Sequence, residues 1–203
     1  MFLNTHNKSL GSLDNASGMS IVFELSNYFK NRPLNYFNIW FCQFSAEELG
    51  TMGSRVFVNK FENKFTQGSI FQFNFDMISC AVHKKNRIEY LKSYGILPRK
   101  KIAPLLSKYL DRAADVENLN IVGFHLSMGA HTDSVPFHLR GYDSVDITTK
   151  AAGKYTHSEL DSPDKVDPTV LSETCIIIRR TISMLDKDYH ILCKNQQLFC
   201  EAK

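Results

Sequence analysis

The run Tyr36–Phe44 is apolar at nearly every position and gives way to Ser45-Ala46-Glu47-Glu48-Leu49-Gly50. An apolar run bounded by turn residues reads as a strand buried on both faces, as in a parallel sheet. Open α/β sheets hold their ligands outside the carboxyl ends of such strands. Two adjacent carboxylates at that end, Glu47 and Glu48, therefore call for a function: one held by a metal, the other free to move a proton.

The rest of the chain alternates helices and strands. Val22, Leu25 and Phe29 recur at helical spacing after Gly18, and Asn31-Arg32-Pro33 stops that helix. Val56, Phe57 and Phe61 predict a second helix. Phe71–Met77 alternates strictly between apolar and polar residues, which predicts a half-buried strand with Asp76 on its polar face. A basic stretch and a helix over about Ile102–Val116 follow, then a strand at Leu119–Phe124, a short helix near Pro136–Leu139, and a strand at Ser144–Ile147. A long helix from Pro168 to about Leu185 comes last. The pattern predicts an α/β sandwich without internal repeats, and 203 residues at 43% hydrophobic content fit one domain, 1–203, with a substantial core.

Composition narrows the function. A formal charge of +3 is too mild to argue for a nucleic-acid or membrane partner. Nine basic residues against two acidic ones lie between Lys84 and Arg112, with Tyr90 and Tyr94 among them; without an accompanying binding motif they read as a solvated face and loop. Five cysteines, odd in number and never in a Cys-x-x-Cys pair, read as reduced thiols rather than a disulfide framework or thiolate zinc site. No apolar stretch nears the ~18 residues of a membrane span, and the first residues lack a signal peptide's regions. The chain as given reads as cytoplasmic, or secreted if an N-terminal segment precedes it.

Four segments line up as one constellation: Leu13-Asp14-Asn15-Ala16-Ser17-Gly18, Ala46-Glu47-Glu48-Leu49-Gly50, Asn74-Phe75-Asp76-Met77, and Tyr155–Asp164, which carries His157, Asp161 and Asp164. Carboxylates and an imidazole suit zinc in catalytic sites, where one coordination position stays open. In this order the motifs resemble the zinc aminopeptidase and glutaminyl-cyclase superfamily, an M28-like peptidase group, over almost the whole chain. The resemblance implies a three-layer α/β sandwich around a central mixed, mostly parallel sheet. It also implies a zinc-dependent hydrolase that removes amino-terminal residues from peptides. Asp14 becomes the metal-bridging carboxylate, Glu47 the general base toward an activated water, Glu48 and His157 ligands of one zinc, and Asp76 a ligand of the other. Thr132–Phe137 resembles the family's Ser-Asp-His-x-Pro-Phe loop, which makes Asp133 and Phe137 substrate-binding candidates, with Ser134 where histidine is usual. His83, His125, His131, His138 and His190 have no motif around them and read as structural or surface residues.

The chain departs from the family at its start. The family's His-x-Asp motif, a zinc ligand and its partner, falls on Phe2 and Asn4, neither of which can play those parts. His6 is the nearest replacement imidazole. The resemblance thus implies one zinc, with a second position weak or empty, and an absent central strand whose neighbours expose backbone edges. Three alternatives stay open: an active aminopeptidase-like enzyme, a single-zinc glutaminyl cyclase, and a non-catalytic or fragmentary peptide-binding relative.

Overall fold

The computed structural model describes residues 9–65, 70–80, 88–95, 100–127 and 131–194. Helix α1 (Gly18–Lys30) buries Ile21, Leu25 and Phe29, four residues apart, so the apolar stripe begins at Ile21 and not at Val22. Gly18 opens this helix against the end of β1 (Phe71–Phe75). A Cβ there would run into the Phe75 carbonyl and the Asn15 side chain, so only glycine permits the approach. Helix α2 (Met52–Phe61) follows the Glu47–Glu48 turn and buries Ser54 and Val58.

The sheet continues with β2 (Ile88–Tyr94), the two-residue β3 (Lys100–Lys101), β4 (Ile121–Leu126) and β5 (Asp143–Ile147). Its order is β1-β5-β2-β3, with β4 also paired to β2. The two long ladders are parallel: Phe71 faces Asp143 through to Phe75 facing Ile147, and Ile88 faces Ile121 at the start of β2–β4. Antiparallel pairing at Tyr90–Ile147 joins them.

Helix α3 (Pro104–Glu117) starts with proline at its first turn, and its Leu105 and Leu106 amides donate to the Asp143 carboxylate at 2.9 Å each. Helix α5 (Pro168–Lys187) is capped by Asp167, which accepts from the Thr169 amide at 2.9 Å. Together α1, α3, α5 and the short α6 (Tyr189–Lys194) bury one continuous core with Ile88, Tyr90, Val145 and Ile147. Along β5 the alternate residues Ser144 and Asp146 point to the opposite face. There they meet Ser134, which precedes α4 (Val135–Leu139), and α2 and α4 enclose a second cluster of Val58, Phe137 and Tyr142. Helices thus cover both faces of a mixed sheet, the expected three-layer α/β sandwich.

Two expectations are corrected. Strand β2, with Ile88, Glu89, Tyr90 and Leu91 all buried, lies inside the basic stretch read from sequence as a solvated face. Glu89 and Lys92 interrupt its apolar run, and burial of Ile88 to Leu91 on both faces erases the two-residue period. Among the described residues the predicted strand Tyr36–Phe44 forms no ladder. Its side chains keep much of a strand's alternating exposure, and Phe37 packs on Phe71 with ring centroids 5.7 Å apart. Within the described residues, however, no backbone hydrogen bond comes from 37–44, and β1 pairs only with β5. Apolar pattern makes a segment extended, but a strand also needs a neighbour with free amides and carbonyls. The ribbon is tethered at its start, where Asp186, itself buried, accepts from the Asn35 amide and side chain at 3.0 Å each and from the Tyr36 amide at 2.8 Å.

Of the cysteines, Cys42, Cys80 and Cys175 are free, whereas Cys193 is disulfide-bonded, which corrects the reading of all five as reduced thiols. No helix among the described residues is long and apolar enough to cross a membrane.

Candidate metal centre

Three turns from distant parts of the chain meet beside the carboxyl end of β1. The first, Ser12–Ser17, carries Asp14 and is pinned from several sides. Leu13 is fully buried, Ser17 Oγ donates to the Leu13 carbonyl at 2.8 Å, and Asn15 Nδ2 donates to the Phe75 carbonyl at 2.9 Å. The Asp14–Asn15 peptide is cis. The second turn presents Glu47 and Glu48. It closes through bonds from the Gly50 and Thr51 amides to the Glu47 carbonyl, 3.0 and 2.7 Å, with Ala46 and Thr51 in the left-handed region at φ 58° each. Non-glycine residues rarely sit there unless their surroundings hold them. The third turn carries His157, also left-handed at φ 64°.

The turns bring Asp14, Glu48 and His157 together, each offering one ligand atom within 4.8 Å of the others. His157 Nε2 lies 2.5 Å from Glu48 Oε1 and 3.0 Å from Asp14 Oδ2. Side-chain exposures of 47% for His157 and Glu48 leave the group open to solvent on one side, while Asp14 at 22% closes the other. Two carboxylate oxygens and an imidazole nitrogen converging this way, with an accessible side, fit the donor chemistry of a catalytic zinc position.

Asp76 follows β1 directly, its amide donating to the Ile147 carbonyl at 3.2 Å. It stands outside the three-residue group, yet close enough to feel it. Burial, and then the charges of Asp14 and Glu47, push its carboxyl up to about 8. Glu47 is likewise pushed up to about 7 by burial first, then by Glu48, Asp133 and Asp14, with His157 opposing. Asp14 is raised by burial and by Glu48. With no cation present, these carboxylates repel one another.

Asp133 is buried and accepts from Ser54 Oγ at 2.6 Å, close enough to Glu47 to raise its pKa. Phe137 is buried in the cluster beneath α4, its ring centroid 6.2 Å from those of Phe44 and Phe57. Ser134, at the family's histidine position, donates to Asp146 Oδ2 at 2.6 Å, and Asn74 Nδ2 donates to Asp146 Oδ1 at 3.0 Å. Sequence reasoning did not single out Asp146 or Ser54; a lone acidic residue in the apolar stretch Val145–Ile147 was the only signal. Phe2, Asn4, His6 and His83 lie outside the described residues.

A three-layer α/β sandwich with two carboxylates and an imidazole converging beside its sheet places this chain in the class of zinc-peptidase folds. Residues 3–182 match the model of peptidase family M28, and the chain belongs to that family. It is 28% identical to aminopeptidase YwaD of Bacillus subtilis (strain 168) over 172 residues, covering 81% of this chain and 35% of that protein. Its fold is similar to BSAP, a zinc aminopeptidase from Bacillus subtilis (TM-score 0.70, 24% identity, 88% of this chain and 43% of that one). LapB from Legionella pneumophila gives a TM-score of 0.71 at 20% identity, covering 88% of this chain and 48% of that one. The glutaminyl cyclase of Porphyromonas gingivalis gives 0.61 at 18% identity, covering 87% and 64%. The chain therefore spans less than half the length of the BSAP and LapB structures and of YwaD, and about two thirds of the glutaminyl cyclase.

Proposed function

We propose that the chain is a zinc-dependent aminopeptidase-like hydrolase acting on the amino-terminal residue of peptides. The convergence of Asp14, Glu48 and His157, with Glu47 beside them, carries this reading. Asp14, Glu48 and His157 would hold the metal. Zinc held there supplies Lewis acidity, polarising a carbonyl oxygen and making water a stronger acid. The chain's own contribution is the placement of charge and proton. Glu47, adjacent in sequence to Glu48 but outside the three-residue group, is free to accept a proton from the attacking water and return it to the departing amine. A carboxyl pushed up to about 7 is matched to that task near neutral pH. Its neighbour Asp133, held by Ser54, adds to the negative field that would receive a cationic peptide amino terminus.

Among the described residues no further histidine, cysteine or carboxylate completes a second group around Asp76 and the shared Asp14, which supports one zinc, with a weak or empty second position. That same observation favours a second reading, cyclisation of amino-terminal glutamine at a single zinc. Elemental analysis after dialysis should find about one zinc per chain. Assaying an aminoacyl anilide and a glutaminyl peptide side by side separates the two activities: turnover of the anilide supports the peptidase, and turnover of only the glutaminyl peptide replaces it. Zinc binding without turnover of either makes the domain a non-catalytic relative.

A further inference from the structure

Asp161 is fully buried, yet it lies only four positions beyond half-exposed His157, in the same stretch of turns. Its carboxylate is spent on the turn that carries Asp14. Oδ1 accepts from the Leu13 amide at 2.6 Å, Oδ2 from the Asp14 amide at 3.2 Å, and Ser9 Oγ adds a third donor to Oδ2 at 3.3 Å. Two of the three converging side chains are thereby linked through one residue, His157 by a short piece of backbone and Asp14 by its own amide. Glu48 comes from a separate turn and owes nothing to this link.

We infer that Asp161 is the positioning residue of the centre, fixing the separation of Asp14 and His157 before any metal arrives. The inference rests on the metal-site reading above. A buried carboxylate taking two consecutive amides makes charge-assisted bonds that hold a turn in one conformation. Partners that orient metal-binding side chains typically matter by about 10- to 100-fold in metal affinity.

The fold contains a matched control. Asp186 is also a buried carboxylate with three donors from a neighbouring segment, but it tethers the start of the 36–44 ribbon. Asp161→Asn keeps the side-chain shape and turns an amide N–H toward a backbone N–H that needs an acceptor; Asp186→Asn does the same elsewhere. Zinc affinity is measured by competition with a chelator, at a temperature where circular dichroism shows each protein folded, and the visible absorption of the cobalt(II)-substituted proteins reports ligand geometry. The expected result is a loss of about 10- to 100-fold in zinc affinity and an altered cobalt spectrum for Asp161→Asn. Asp186→Asn should lose thermal stability while keeping the parent's affinity and spectrum. If Asp161→Asn does not fold, Ser9→Ala removes one donor from Oδ2 and should weaken zinc by about two- to fivefold, the scale of a single hydrogen bond. Parent-like affinity in the folded Asp161 variant, or in Ser9→Ala where it stands in, overturns the inference, as does an equal loss in Asp186→Asn. A parent protein that binds no zinc removes the metal-site reading itself, a result obtained before any variant is compared.

Discussion

The carboxylate cluster makes the metal-free protein a pH-sensitive structure, and Asp76→Asn isolates one strongly shifted contributor to it. Burial and the charges of Asp14 and Glu47 move the Asp76 carboxyl from 3.8 to about 8 in the folded protein. Between those values the folded state keeps a proton that the unfolded chain has released. Because the folded state then binds more protons, stability falls as pH rises. The contribution is whole below the unfolded value and is lost as pH climbs through the folded one. About four units at roughly 1.36 kcal/mol each sets a ceiling near 5–6 kcal/mol. Part of that energy belongs to the opposing charges of Asp14 and Glu47, and solvent reaches the partly exposed side chain, so about 2–3 kcal/mol is expected for Asp76 itself. Urea unfolding with a chelator present, at intervals from pH 5 to pH 9, measures it. The parent should lose stability steadily across this range, and Asp76→Asn should be flatter and more stable than the parent at pH 9. A parent curve that is level or rising over this range, or a variant no more stable at pH 9, refutes the argument.

Glu47→Gln should leave zinc content and folding nearly unchanged while lowering any turnover by about a hundred- to ten-thousandfold, the usual contribution of general-base catalysis; loss of metal would instead make Glu47 a ligand. His157→Ala removes the only imidazole of the converging group, so elemental analysis should find the variant largely stripped of zinc after dialysis. Leu106→Ala empties a fully buried position in the core between α3 and the sheet and should cost about 2–5 kcal/mol in urea unfolding. Gly18→Ala forces a methyl against the Phe75 carbonyl and Asn15, so it should destabilise by about 1–3 kcal/mol and, by displacing the Asp14 turn, also weaken zinc binding.

The elements with a strong local period were legible in the sequence. Leu25 and Phe29 mark the buried face of α1, Phe71–Phe75 forms β1, and the long helix read from Pro168 to about Leu185 is α5. Of the site, Asp14, Glu48 and His157 could be named from their motifs, and the fold brings them together. What the sequence hid depends on neighbours. Ile88–Tyr94 is the middle of the sheet because β4 and β5 flank it, a fact absent from its own residues. Tyr36–Phe44 has a strand's composition and, among the described residues, no ladder partner. Glu47 stands out as two adjacent letters, but its carboxyl is raised by burial and by Asp14, Glu48 and Asp133, two of them far away along the chain.

That unladdered ribbon bears on how the centre comes into being. Amides in a central strand exchange with solvent only when the molecule opens globally, whereas amides without ladder partners exchange through local fluctuations of small free energy. Among the described residues the amides of 37–44 have no ladder partner and so belong to the second kind, and they lead directly into the turn of Glu47 and Glu48. One side of the centre is therefore reached through a stretch without ladder bonds among the described residues, the other through the firmly bonded Asp14 turn. Binding a cation across that divide would spend part of its free energy quieting the ribbon. Deuterium uptake at 37–44 should then slow on adding zinc, while amides in α3 and α5 stay as they were.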